Sequence, residues 1–122
     1  MKVCVIEDNR DMRRLLELLL ASKGYEVESY GDGLTALNSL KAEEKLPEII
    51  FVDNYMPICS GPEFRKLQVL DKRLSHIKTF LLTASLDFDS EEYTSAFDGC
   101  ISKVMINSNK LADVIESHTR IH

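Results

Sequence analysis

Residues 48–57 read Glu48-Ile49-Ile50-Phe51-Val52-Asp53-Asn54-Tyr55-Met56-Pro57, four large apolar residues in succession that run out on a carboxylate. A run without polar alternation fits a strand buried on both faces, the usual condition in a parallel sheet covered by helices. Pro57 has no N–H to donate and stops further strand pairing. Asp53 is thereby delivered to the carboxyl edge of a sheet, where open α/β folds bind ligands. Taken alone, an aspartate after a strand is equally well explained as a turn former. The rest of the chain has to decide between the two.

Lys2-Val3-Cys4-Val5-Ile6 is a second apolar run, and it too ends on acids, Glu7 and Asp8. From Asn9, a helix-capping residue, apolar side chains recur at Met12, Leu15, Leu16 and Leu19, and Gly24 marks the stop. This predicts a helix packed on a sheet. Tyr25 to Tyr30 alternates between two faces, the pattern of a half-exposed edge strand. Asp32 caps a short helix with Ala36, Leu37 and Leu40 inward, closed by the charged Lys41 to Lys45 stretch and Pro47. Ser60-Gly61-Pro62-Glu63 has the spacing of a capping box, with proline near the first helical position, and predicts a helix with Phe64, Leu67 and Leu70 inward. Ile77 to Leu82 is the fourth strand and leads into Thr83-Ala84-Ser85. Asp89 to Phe97 is a helical segment poor in apolar period, expected to be the least stable helix. Gly99 to Lys103 is a short last strand, and Asn107 or Ser108 caps a final helix with Leu111, Val114 and Ile115 inward.

Strands alternating with helices give an α/β fold with a doubly wound, five-stranded parallel sheet. The edge-like second strand and core-like third favour the flavodoxin-like order 2-1-3-4-5, whose switch point lies between strands one and three. The 122 residues make one domain spanning 1–122. A net charge of −5 without a basic block argues against nucleic acid or an anionic membrane as a direct partner, and favours a metal. Cys4, Cys59 and Cys100 are odd in number and widely spaced, which reads as small core residues and not as disulfides or zinc ligands. The opening residues carry no signal-peptide pattern, and no apolar run approaches the ~20 residues of a membrane span. The expected location is the cytoplasm.

In that topology Glu7, Asp8 and Asp53 meet at one crevice. Two carboxylates ~4 Å apart repel by ~4 kcal/mol at an effective dielectric near 20, and a hard divalent cation relieves this. An all-oxygen set suits Mg²⁺ keeping several waters, with Mn²⁺ as a substitute. Thr83 and Lys103 end strands four and five on the other side of the crevice. A cation site beside a carboxylate, an ammonium and a hydroxyl is equipment for phosphoryl transfer, which needs positioning and charge neutralisation above all. Asp53 is then the nucleophile, Lys103 the cation for the phosphoryl oxygens, and Thr83 a hydroxyl donor aided by the Ala84 N–H.

Glu7-Asp8, Asp53 followed by Met56-Pro57 and Gly61, Thr83-Ala84, and Lys103 together resemble the receiver domain of two-component response regulators over the whole chain. The resemblance implies that Asp53 accepts a phosphoryl group from a phosphohistidine on a sensor histidine kinase or histidine phosphotransfer protein. It implies that Glu7, Asp8, Asp53 and the backbone carbonyl of Tyr55 position Mg²⁺, and that the phospho-aspartate hydrolyses itself slowly. It makes the chain a signalling domain and not a turnover enzyme. An output partner, as yet unknown, is expected on the face made by the Asp89–Phe97 segment, the last strand and the last helix, with room for a weak homodimer.

Two positions depart from the family pattern. Cys100 stands where most receivers carry an aromatic switch residue, and Val104 follows Lys103 where a cis-bonded proline is common. The expected consequence is a modestly altered loop with the chemistry intact. The alternative is a degenerate receiver, a protein-interaction module independent of phosphorylation. A nucleotide-binding enzyme lacks its glycine-rich turn here, because Glu7-Asp8-Asn9-Arg10 follows the first strand. A haloacid-dehalogenase-like phosphatase lacks its second aspartate, because Tyr55 occupies the place.

Overall fold

The computed structural model describes residues 1–84 and 95–119. Five strands, β1 (Lys2–Ile6), β2 (Glu26–Tyr30), β3 (Ile49–Asp53), β4 (Lys78–Thr83) and β5 (Gly99–Ser102), form one sheet in the order β2-β1-β3-β4-β5. Every pairing is parallel. Around it run α1 (Arg10–Ala21), α2 (Gly33–Ala42), α3 (Gly61–Leu70) and α4 (Ser108–Thr119), with a 3₁₀ turn at Lys103–Met105. Most of the Asp89–Phe97 segment lies outside the described residues.

Alternate residues of each strand feed two separate cores, as the period of two requires. Cys4, Ile6, Ile50, Val52 and Leu81 pack with Ala36, Leu37 and Leu40 of α2 and Phe64 of α3. Val3, Val5, Ile49, Phe51, Phe80, Leu82 and Ile101 pack with Leu16 and Leu20 of α1 and Leu111 and Ile115 of α4. All five residues of β3 are buried, as its unbroken apolar run requires. Only β2 among the described strands has no buried residue, in keeping with its place at the edge.

The caps form where the sequence places them. Asn9 accepts from the Met12 N–H and Asp32 from the Thr35 N–H. Ser60 and Glu63 complete a capping box, and Asn107 caps α4 through the Lys110 N–H. Gly24 takes a φ of 86°, the left-handed conformation that lets glycine end a helix.

Three inward assignments are corrected. Leu15 is exposed and Leu20 is buried in its stead, because α1 carries five leucines and only one stripe can face the sheet. Leu67 and Leu70 are likewise exposed on α3. Its inner face is Gly61, Phe64 and Gln68. Gln68 can be buried because its polar end is satisfied: its amide donates to the carbonyls of Leu74 (2.9 Å) and Ile77 (3.1 Å), and its Oε1 accepts from the Thr79 hydroxyl (2.9 Å) and from Arg65 Nη1 (3.0 Å).

Candidate functional site

The site sits where the strand order reverses, at the carboxyl ends of β1 and β3. Glu7 and Asp8 follow β1 directly, and Asp53 is the last residue of β3. One carboxylate oxygen from each of the three lies within 4.8 Å of the others. Glu7 is wholly buried, Asp53 nearly so, and Asp8 faces solvent. Lys103, just past β5, reaches across the sheet edge, its Nζ 2.6 Å from Glu7 Oε1 and 2.7 Å from Asp53 Oδ1. Thr83, the buried last residue of β4, and the exposed Ala84 complete the strand ends facing the crevice. The structure therefore brings Glu7, Asp8, Asp53 and Lys103 into one cluster and sets Thr83 at the neighbouring strand end. Tyr55, two residues past Asp53, is 84% exposed.

The departures in the Lys103 loop resolve simply. All described peptide bonds are trans, so the Lys103–Val104 bond is too, and the lysine still reaches both acids. The loop turns through the 3₁₀ segment, leaving Val104 and Met105 exposed. Cys100 is half-buried against the α2–α3 core.

Electrostatics follow from burial. Loss of solvent pushes the Glu7 carboxyl up to about 7, and the nearby Asp53 adds to it. Hydrogen bonds from Lys103 and the Asn9 N–H pull the other way. For Lys103, burial works to lower the pKa, but the bonds to Asp53 and Glu7 prevail and raise it. The ammonium stays charged, and two buried acids with an exposed third share one cation. Three acids against one ammonium leave the crevice anionic. The carboxylates are hard oxygen ligands, close together and opening to solvent through Asp8, and they fit Mg²⁺.

Three residues support the acids: Asn9 and Gly61, which the sequence marks as a helix cap and a motif glycine, and Arg13, which nothing in the sequence marks. Arg13 donates from Nη1 to the Glu7 carbonyl at 2.9 Å, and the Asn9 N–H bonds Glu7 Oε2 at 3.1 Å. Together they fix Glu7. Gly61 is required by close approach, since a Cβ there would lie 2.6 Å from the Asp53 carbonyl oxygen.

Residues 3–116 match the model of the response regulator receiver domain. The chain belongs to this family, the receiver domains of two-component signalling. Among curated relatives, the polar-differentiation response regulators DivK of Brucella ovis and Brucella anthropi are 35% identical over 82 residues, 67% of this chain. The match spans 65% of those proteins' length. Among solved structures, the response regulator TrrA of Thermotoga maritima, in complex with Mg²⁺ and a beryllium fluoride, has a TM-score of 0.82 at 26% identity. That alignment covers 95% of this chain and 96% of TrrA. The chemotaxis protein CheY4 of Vibrio cholerae shares the fold, with a TM-score of 0.85 at 24% identity over 96% of this chain and 97% of that one.

Proposed function

We propose that this receiver, as a single domain over residues 1–122, takes a phosphoryl group onto Asp53 from a phosphohistidine of a sensor histidine kinase or histidine phosphotransfer protein. The observation that carries the reading is the Lys103 ammonium held at 2.6 and 2.7 Å between a buried glutamate and a buried aspartate, with Asp8 beside them. An Asp53 carboxylate oxygen attacks phosphorus as the P–N bond to the donor imidazole breaks. The imidazole nitrogen keeps the bonding pair and takes up a proton. The product is an acyl phosphate, a covalent intermediate open to hydrolysis.

Glu7, Asp8, Asp53 and the Tyr55 carbonyl are the residues proposed to hold Mg²⁺, with Mn²⁺ as a substitute. The chemistry the cation supplies when bound is neutralisation of the phosphoryl charge against the acids. Lys103 gives a compact ammonium to one phosphoryl oxygen and the Thr83 hydroxyl and Ala84 N–H donate to others, each strengthened by the low local dielectric. Return to the resting state is attack of water on phosphorus, releasing phosphate and the Asp53 carboxylate. The exposed Tyr55 ring stands two residues from the phosphoacceptor and slows that water. A Tyr55→Ala variant is expected to lose its phosphoryl group faster, and an unchanged rate removes this role.

Output is assigned to the face of β5 and α4, where a partner or a second copy in a weak homodimer docks. With Cys100 in place of an aromatic ring, the switch is read by movement of this surface and not by a ring flip.

The test is incubation with acetyl phosphate, and separately with beryllofluoride, each with Mg²⁺. A mass increase of one phosphoryl group and amide shifts around Asp53, both absent in Asp53→Ala, are expected. Labelling that survives Asp53→Ala sinks the reading. The same holds for a complete lack of response in the unaltered protein, which leaves a phosphorylation-independent interaction module.

A further inference from the structure

A second ionisable cluster lies beneath the edge strand, away from the acid pocket. Lys2 begins β1, Glu28 is in β2, and Glu43 is the C-cap of α2. The Lys2 Nζ lies 3.3 Å from Glu28 Oε2 and 3.1 Å from Glu43 Oε2, and it donates to the Lys45 carbonyl at 2.9 Å. The ammonium thus makes two hydrogen bonds and an ion pair to Glu28. The Tyr30 hydroxyl lies 3.3 Å from Glu28 Oε2 and 3.1 Å from Glu43 Oε1. Side-chain exposure is only 15% for Lys2, 17% for Glu28 and 21% for Glu43. Glu28 Oε1 is buried with no hydrogen-bond partner among the described residues.

The donors do not suffice for two carboxylates. Tyr30 has one hydrogen and touches two acids, so it can donate to only one of them. Two half-buried negative charges face a single positive one. One added proton settles both counts. On Glu28 it lets that carboxyl donate to the Tyr30 oxygen while the Tyr30 hydrogen goes to Glu43, so each short contact becomes a proper hydrogen bond.

We propose that Glu28 and Glu43 hold one shared proton through the Tyr30 hydroxyl, and that this proton is a pH-sensitive latch fastening the C-terminal turn of α2 to the β1–β2 edge. The groups that face it are Lys2 and the fully buried Cys4 thiol from β1, Tyr30 from β2, and Ser39 and Glu43 from α2. Arg73 meets it from beyond α3, donating to the carbonyls of Lys41 and Glu43. Burial, then the neighbouring Glu43, lift the Glu28 carboxyl from the ordinary 4.5 to about 7. Lys2 opposes the rise and Glu43 itself is held low. The sign follows. A raised carboxyl binds its proton more tightly in the folded state, so the latch is complete below about 4.5 and is lost as pH rises through about 7. Its loss leaves two carboxylates on one ammonium, and the last turn of α2 loosens from the edge strand. The other end of α2 abuts the loop after Asp53, where a Cβ on Gly33 would lie 2.9 Å from Cys59 Sγ.

The experiment is a carbon-13 NMR titration of the glutamate side-chain carboxyls in the whole protein, saturated with Mg²⁺. Glu28 is expected to titrate near 7, with the Ala42 and Glu43 amide shifts following the same midpoint. In Glu28→Gln those amides should no longer move. Tyr30→Phe should shift the Glu28 midpoint by about one unit, roughly tenfold in proton affinity. A Glu28 midpoint near the ordinary ~4.3, or amides that ignore it, overturns the proposal, and titration of the unaltered protein is enough to do so.

Discussion

Strand β1 carries a carboxylate–lysine cluster at each end, and the two are built from the same residue types to opposite effect. At the carboxyl end Lys103 bridges Glu7 and Asp53. At the amino end Lys2 bridges Glu28 and Glu43. Burial lifts one glutamate of each cluster to about 7. They part company at the remaining oxygens. The upper cluster adds an exposed third acid, Asp8, so its surplus charge faces a crevice that a divalent ion can enter. The lower cluster adds Tyr30 and the Lys45 carbonyl, so its surplus charge is enclosed and is met by a proton. The difference lies in access: a surplus charge that opens to solvent through Asp8 can take up a divalent ion, whereas one closed in by Lys2, Tyr30 and the Lys45 carbonyl can take up only a proton.

The largest effects should come from the upper cluster. Asp53→Ala removes the proposed nucleophile, and the response to acetyl phosphate or beryllofluoride is expected to vanish, read by mass spectrometry and amide shifts. Lys103→Ala comes next. A charge-assisted hydrogen bond is worth about 1.5–3 kcal/mol, so phosphorylation by acetyl phosphate should slow about 10- to 100-fold. The same variant should bind Mg²⁺ more tightly, because the ammonium repels a cation held by the same carboxylates. Weaker Mg²⁺ binding on isothermal calorimetry would break the contrast between the clusters, since Lys103 would then be part of the metal scaffold and not its competitor.

Much of the upper cluster was legible because each member ends an apolar run. Once Val3 to Ile6, Ile49 to Val52 and Phe80 to Leu82 are read as buried parallel strands, topology alone carries Glu7, Asp8, Asp53 and Thr83 to one edge. The lower cluster was not legible. Lys2, Glu28 and Glu43 come from three elements, and the alternation of β2 says nothing about α2 folding its cap over Glu28. Helix faces failed for a related reason. With leucines at 15, 16, 18, 19 and 20, the periodicity admits more than one stripe, and packing on the sheet chooses Leu16 and Leu20. On α3 the choice of Gln68 over Leu67 depends on carbonyls at Leu74 and Ile77 that no local pattern announces.

A middle-sized effect tests how rigidly the upper cluster is held. Gly61→Ala puts a methyl group against the Asp53 carbonyl oxygen and the Leu81 side chain, 2.6 and 2.9 Å away. Backbone cannot yield there as a side-chain tip can, and overpacking of this kind destabilises by about 1–3 kcal/mol. Urea unfolding should show the loss, with slower phosphorylation of Asp53 as the loop shifts. Full stability with unchanged phosphorylation would mean that the Asp53 loop is soft, and that the close spacing of the upper cluster is unnecessary.

The smallest expected effect separates the clusters by what each binds. Glu7 and Glu28 both sit at about 7 when folded against 4.5 ordinarily. Between those values the folded protein binds more protons than the unfolded chain, so stability falls as pH rises through the window. One whole proton corresponds to about 1.4 kcal/mol per pH unit, and partial solvation of Glu28 reduces its share. Mg²⁺ replaces the proton at the upper cluster and should flatten only that share of the slope. Glu28→Gln should flatten the remainder. Urea midpoints between pH 5 and 8, with and without Mg²⁺, resolve the two shares. A slope that Mg²⁺ abolishes completely assigns all of the titration to Glu7, and the lower cluster would then be an ordinary ion pair.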